Sequence, residues 1–533
     1  MNLSNSSSLN LLDLPNEILL LIFNKLNTVD VFYSLIDIND RFNQLLFSSL
    51  DISHFDMTTM SMESYYDRAF SIDDALLARI YKELSPRLSH ELTQLTVEEN
   101  SMEYILKNTA CPKLHSLSLV NFQEETLLQS LTANSILRLL LAQQITHLTI
   151  DVPYDPQIES YDVLSNVFLL ILSLCERLVY LNVGQVYSDC NAFISTDNLP
   201  PLNCVPATLT TLKINVATFD DCLYLVEYLK SLSTLIVNVK KIALKLSNIR
   251  NTGEIRNLKC FSLISIDYTI HYDDQVVPLL RRMIDLNELT LFLTVLESFS
   301  TYVDGVRLYN EILVYLRKLN KFTFSINTGV INENVIIDLP SQRDVIQSFM
   351  GRKSEQIGAY VDYRKHDNVG ISRVYSLPYQ FEYLAMVGSS FPGGAFRNVQ
   401  YLLMSDGNSF EHSLFVFISQ ERPLLKRLQI DNCHPQKMKT HAPALIKFPY
   451  LILLDLTSAH LDYVEQFLCD KVTCLPSLLD LCITYELLTT VTNNFTNESM
   501  RRNCAQLKRL HTSSTIHADK LHHYFPLLRR ISY

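Results

Sequence analysis

The chain has 533 residues, 47% apolar and 19% charged, with a formal net charge of −11. This balance excludes an intrinsically disordered polymer, which has too little apolar surface to fold. It also argues against nucleic-acid binding, since the basic residues fall as scattered pairs (Lys240–Lys241, Arg281–Arg282, Arg501–Arg502) and not as the basic face a phosphate backbone requires.

Residues 1–9 form a Ser/Asn-rich tail without a basic residue, so they do not read as a signal peptide. Residues 10–50 predict three short helices. Pro15 suits a first helical turn, where its missing N–H leaves nothing unsatisfied. Ile18, Ile22 and Leu26 follow at i, i+4 and i+8, flanked by Leu19 and Phe23, and Asn27 and Thr28 end this helix. Asp30 caps a second helix bearing Val31, Phe32, Leu35 and Ile38, and Asp40 a third bearing Phe42, Leu45 and Leu46. Three helices in so short a segment cannot bury a stable core alone, so apolar surface is left over for a partner.

The order Leu14, Pro15, Glu17, Ile18, Leu19, Ile22, Phe23, Leu26 and Asp30 resembles the F-box family. Arg41–Phe42 stands where that family usually has a basic residue followed by Trp, and the chain contains no Trp. The resemblance implies a non-catalytic adaptor subunit of an SCF-type ubiquitin ligase. It implies docking on a Skp-type adaptor, and through it a cullin, by Leu14, Pro15, Ile18, Leu19, Ile22 and Leu26, with no cofactor.

Residues 51–90 predict a helical linker, opening at Ser71–Asp73, carrying Leu76, Leu77, Ile80 and Leu84, and ending at Pro86. From residue 91 an L-x-x-L-x-L pattern recurs. Its units include Leu92–Leu95–Val97, Leu114–Leu117–Leu119, Ile145–Leu148–Ile150, Leu178–Leu181–Val183, Leu209–Leu212–Ile214, Leu286–Leu289–Leu291, Leu425–Leu428–Ile430 and Leu478–Leu481–Ile483. Amphipathic stretches lie between them at Tyr161–Leu174, Asp220–Leu229, Asp304–Leu319 and His460–Leu468. The period lies close to that of a leucine-rich repeat, and strand–helix alternation implies parallel strands with helices on one face. The chain thus also resembles the F-box proteins that carry leucine-rich repeats. That family's turn Asn or Cys is matched by Cys433, whereas Phe122, Val186 and Ala217 stand at other turns. The fold expected is α/β: an N-terminal three-helix F-box, then an irregular leucine-rich-repeat-like solenoid in two blocks, 91–325 and 397–533. Between them a Gly-rich insert, 326–396, predicts a hairpin from Tyr360–Tyr363 and Ile371–Leu377 around Lys365–Gly370.

Eleven cysteines without a C-x-x-C pair point to neither a disulfide framework nor a zinc site, and His511, His517, His522 and His523 lack carboxylates at ligand spacing. Phosphate-loop, dinucleotide, nucleophile-elbow and metalloprotease motifs are absent from the sequence. Apolar runs such as Val167–Leu172 are too short to span a bilayer, so the expected location is cytoplasmic or nuclear, without a membrane partner. Residues between the motif leucines should point outward and hold a target protein, with Tyr180 and Arg427 as leading anchors. An interaction scaffold outside any ligase is the alternative reading, and the Gly-rich insert is the rival binding site.

Overall fold

The computed structural model describes residues 11–26, 28–58, 60–62, 68–70, 74–108, 111–153, 161–184, 192–196, 206–243, 253–298, 302–331, 339–351, 356–364, 369–391, 393–394, 396–438, 444–512 and 518–532. The expected tail (1–9), the helix start at Ser71–Asp73, residues 365–368 of the hairpin turn, and Asn27, Val186 and His517 lie outside them. The chain is mixed α/β and divides into two compact units. One is Met1–Ser61, Arg68–Asn215 and Tyr228–Leu232; the other is Met62–Asp67, Val216–Glu227 and Ser233–Tyr533.

The first unit opens with helices α1 (Asn16–Phe23), α2 (Thr28–Leu35) and α3 (Asp40–Gln44), the last running into a wide turn, Leu45–Ser49. Leu19, Phe23, Val29, Val31, Phe32, Phe42 and Leu46 form their core. The Phe23 and Phe42 rings meet edge-on at 5.7 Å, and Phe32 stacks on Phe47 at 5.6 Å. Phe42 therefore occupies the interior. Three boundaries differ from expectation. α1 stops at Phe23 because Lys25 and Leu26 donate back to Ile22 and Phe23 in a tightened last turn, so Leu26 lies beyond the helix. Thr28 opens α2, which places Asp30 inside its first turn. Asn39, not Asp40, caps α3, its Oδ1 accepting the Phe42 N–H at 2.8 Å.

Helix α4 (Asp74–Glu91) does not end at Pro86 but runs through it. Leu77, Ile80, Leu84 and Leu88 continue one buried stripe across the proline, and that packing outweighs the missing N–H. α4 also ties the N-terminal helices down. Arg79 pairs with Asp37, and Arg87 donates to the Leu50 carbonyl at 2.8 Å while pairing with Glu91.

Strands β1 (His54–Asp56), β2 (Gln94–Val97), β3 (Ser116–Leu119), β4 (His147–Ile150), β5 (Tyr180–Val183) and β6 (Thr211–Thr218) pair in parallel, each with the next in sequence. Leu95, Val97, Leu117, Leu119, Leu148, Ile150, Leu181, Val183, Leu212 and Ile214 are at most 3% exposed. Alternation of one buried and one outward residue is what the two-residue period of a strand dictates when one face is covered. Helices Glu124–Thr132, Ile136–Gln143 and Asp162–Leu174 supply that cover through Leu127, Leu131, Leu137, Leu141, Phe168 and Ile171.

The second unit repeats the scheme. β7 (Thr234–Lys241), β8 (Cys260–Thr269), β9 (Glu288–Glu297) and β10 (Lys321–Ile331) are parallel and sequential. The expected hairpin follows as β11 (Ile357–Arg364) and β12 (Val369–Ser376), and β12 closes the run by pairing antiparallel to β10. A second sheet is wholly parallel: β13 (Tyr383–Val387), β14 (Tyr401–Ser405), β15 (Arg427–Asp431), β16 (Leu453–Asp455), β17 (Asp480–Cys482), β18 (Arg509–His511) and β19 (Arg530–Ser532). The insert is thus shorter than 326–396: β10 reaches Ile331, and the second sheet starts at Tyr383. The hairpin is also no free loop. Tyr360, Ile371, Arg373, Val374 and Tyr375 are buried, and Phe292 of β9 packs against Tyr383, Ala385 and Tyr401.

The main chain satisfies itself where each strand begins. Successive amides donate to the preceding coil, Thr93 to Ser53, His115 to Thr93, Thr146 to His115, Val179 to Thr146 and Thr210 to Val179, at 2.8–3.0 Å. The same ladder runs through Gln400, Lys426, Ile452, Leu479, Lys508 and Arg529 in the second sheet. Backbone-to-backbone pairing therefore supplies the partners that buried turns need. At the one turn where a side chain was expected to do so, the residue is Asn432, whose Nδ2 donates to the Asn408 carbonyl at 2.7 Å; Cys433 beside it is exposed.

Candidate docking surfaces

The N-terminal helices bury one side and leave the other apolar. Leu11, Leu12, Ile18, Leu21, Leu26, Tyr33 and Ile38 are all exposed, Leu21 and Tyr33 at 62%. Of the six residues singled out from sequence, Pro15, Ile18 and Leu26 are exposed, Leu14 and Ile22 are half-buried, and Leu19 is fully buried in the core. Leu19 therefore supports the surface from beneath. Leu21 escaped the sequence reading because Ile18 to Phe23 is unbroken apolar sequence, in which periodicity cannot distinguish the inner side from the outer. Exposed carboxylates of Asp13, Glu17, Asp30 and Asp40 lie among these residues in sequence, with Lys25 the exposed cation.

Arg41 fixes the entry to this surface. Its Nε donates to Asn16 Oδ1 at 2.7 Å, its Nη1 to the Leu12 carbonyl at 2.8 Å and its Nη2 to the Leu14 carbonyl at 2.5 Å. The turn Leu11–Asp13 is thereby held against α3, which keeps Leu11 and Leu12 outward without a core of its own.

On the strand face of the first unit, parallel register aligns His54, Gln94, Ser116, His147, Tyr180 and Thr211 in one row. Asp56, Thr96, Ser118, Thr149, Asn182 and Lys213 form the next. Tyr180 is half-buried, with His147 stacked on it at 5.8 Å and Lys213 Nζ 5.7 Å from its ring centre. Desolvation, then the neighbouring His115, hold His147 below the usual imidazole range.

In the second unit the corresponding row is Tyr383, Tyr401, Arg427, Leu453, Asp480, Arg509 and Arg530, of which all but Arg427 and Arg530 are buried. Arg427 is half-buried, its Cζ 4.6 Å above the Tyr401 ring, which stacks in turn on Tyr383 at 4.3 Å. Tyr401 donates its hydroxyl to Gln429 Oε1 at 2.9 Å. Leu453, which precedes the core residue Leu454, is fully buried as well. Residue type between the motif leucines singles out Arg427 and Tyr180, each in its own unit, but not their ring partners, which become neighbours only through strand register.

Among the described residues no helix is long and apolar enough to cross a membrane. No protein-family model matches the chain. No curated protein matches it either.

Proposed function

We propose that this chain is the substrate-recognition subunit of an SCF-type ubiquitin ligase. Its N-terminal helices dock a Skp-type adaptor, and a leucine-rich-repeat-like solenoid holds the target protein on its strand face. The observation that carries this reading is the exposed apolar surface of Ile18, Leu21, Leu26, Tyr33 and Ile38 on a segment otherwise anchored to the fold. A soluble surface with so many large apolar residues close together in sequence calls for a protein partner, and helix-in-groove packing suits such short amphipathic helices. The order of F-box-like residues across the same helices names the partner class.

The solenoid reading is supported by strict sequential pairing of parallel strands with apolar motif positions buried throughout. The strand-face rows of the first unit mix His, Gln, Tyr, Lys and Thr, as a protein-binding surface does, and do not repeat one chemical site. Catalysis would belong to the other subunits. The test is co-purification of the full chain with the adaptor, using Leu21→Asp, which changes an exposed residue and so leaves the core intact. Loss of capture supports the reading; retention refutes docking through this surface.

A further inference from the structure

One line of titratable side chains crosses the strand face of the first unit. His147, Tyr180 and Lys213 lie on the successive strands β4, β5 and β6, and His115 immediately precedes β3. The His115 and His147 rings meet edge-on at 6.2 Å, His147 stacks on Tyr180 at 5.8 Å, and Lys213 Nζ stands 5.7 Å from the centre of the Tyr180 ring. Both histidines are exposed, and Tyr180 and Lys213 are half-buried.

Local hydrogen bonds hold both imidazoles in the same form. The Lys113 carbonyl can only accept, so His115 Nδ1, 3.2 Å away, carries a proton. Thr146 Oγ1 donates to the His115 carbonyl at 3.2 Å and therefore accepts from His147 Nδ1 at 2.9 Å. In each ring Nε2 is then the nitrogen that gains a proton and donates it to a partner.

No group on these four strands offsets that positive charge. Their other outward side chains are Ser, Thr and Asn, with no carboxylate among them. The turn before β3 adds Lys113, and the turn before β5 carries one charge of each sign, Glu176 and Arg177. His147 meets His115 on one side and Tyr180 on the other, with Lys213 beyond. Desolvation, then His115, make its protonation costly, a cost that a bound anion would offset. In a chain of net charge −11 this face is locally basic.

We propose that this face captures an acidic segment of the target protein, whose carboxylates accept hydrogen bonds from His115, His147 and Lys213. The inference rests on the reading that the strand face holds the target, and adds the chemistry of that target. Capture should tighten as pH falls, because an anion favours the imidazolium and the imidazolium binds the anion through charge-assisted hydrogen bonds. One lysine and two imidazoles meet too few phosphates to hold a nucleic-acid backbone.

The test is fluorescence anisotropy of labelled oligo-aspartate with the full chain at pH 6 and pH 8 and constant ionic strength. Oligo-asparagine and oligo-thymidine of equal length are the controls. Binding should be saturable and about tenfold tighter at pH 6, the gain from a neutral to a charged hydrogen bond. His115→Gln combined with His147→Phe removes both titrating groups and keeps a ring on Tyr180; it should bind weakly and equally at the two pH values. Lys213→Met should weaken binding at both and leave the pH ratio unchanged. A wild type that binds oligo-aspartate no more tightly than oligo-asparagine overturns the proposal, as does a double variant with the wild-type pH ratio. Oligo-thymidine bound as tightly as oligo-aspartate would assign the face to nucleic acid and overturn it too. Should the double variant not fold, a Lys213→Met protein of wild-type affinity overturns it equally. Adaptor capture is measured on the same preparations, so a wild type that binds oligo-aspartate but no adaptor refutes the ligase reading alone.

Discussion

Arg41 on α3 holds Leu14, twenty-seven positions earlier, by donating to its carbonyl at 2.5 Å. The same guanidinium reaches Leu12 and Asn16, so one residue orders the whole entry to α1. Arg41→Met should lower stability by about 1–3 kcal/mol, the range for charged hydrogen bonds lost from a partly buried site. It should also weaken adaptor capture, although Arg41 contributes no apolar surface, because Leu11 and Leu12 lose their placement. Urea unfolding and quantitative pull-down of the same protein check both effects; unchanged capture would show that the Leu11–Asp13 turn is not part of the interface.

Glu124 opens the helix Glu124–Thr132 and is nearly inaccessible. Burial, then repulsion from Glu125, push its carboxyl up to about 7. The unfolded chain ionises this group near the usual carboxyl value of about 4.3, so between there and about 7 the folded state binds more protons than the unfolded one. Stability from this group is therefore full below that window and lost as pH rises through it. Glu124→Gln should be near neutral at pH 4 and stabilising by about 1–3 kcal/mol at pH 8. Denaturant unfolding at the two pH values measures it, and equal effects at both would contradict the burial account.

The covered face of the first unit should be far less tolerant than its helix exteriors. Leu148 is fully buried on β4, whereas Leu139 on the next helix upstream is 55% exposed. Leu148→Ala should cost about 2–5 kcal/mol through lost burial and a residual cavity. Leu139→Ala should stay within about 0.5 kcal/mol. Comparable losses in chemical unfolding would mean that the motif leucines do not carry the core.

For target capture, Tyr180 and Arg427 are separable probes because each sits in its own unit. Loss of a true anchor costs at least about 2 kcal/mol, or roughly thirtyfold in affinity. Once a co-purifying target is identified, Tyr180→Ala and Arg427→Ala are compared with Thr149→Ala on the same strand face. Excision of the hairpin is not an equivalent control, since it would remove buried Tyr360, Arg373 and Tyr375. If neither anchor weakens binding while Thr149→Ala does, recognition rests on polar rim contacts and the assignment of anchors is wrong.

The sequence was most legible where one period repeats. Motif apolar residues such as Leu117, Leu148 and Leu481 declared both their strand and their buried side, because alternation with polar neighbours leaves one register. It was least legible where sequence is uniformly apolar or where tertiary packing overrides local signals. Leu21 could not be told from Leu19 within an unbroken hydrophobic run, and Pro86 broke no helix because Leu84 and Leu88 flank it in the core. The sequence places Tyr383–Val387 within the insert because a short strand beside glycines carries turn signals. Its membership in the second sheet rests on pairing with Tyr401 and Leu402. Burial of Arg373 and Arg422 had no sequence signal, since an isolated arginine on a strand or at a helix end reads as a surface residue.

The central claim is adaptor docking through the exposed side of the N-terminal helices. The most direct measurement is the affinity of purified Skp-type adaptor for the full chain carrying Ile18→Asp and Leu21→Asp together, with folding verified by an unchanged unfolding midpoint. A charge placed in an apolar interface costs several kcal/mol, so binding should fall by roughly a thousandfold or more. Wild-type affinity in the folded double variant would contradict the account.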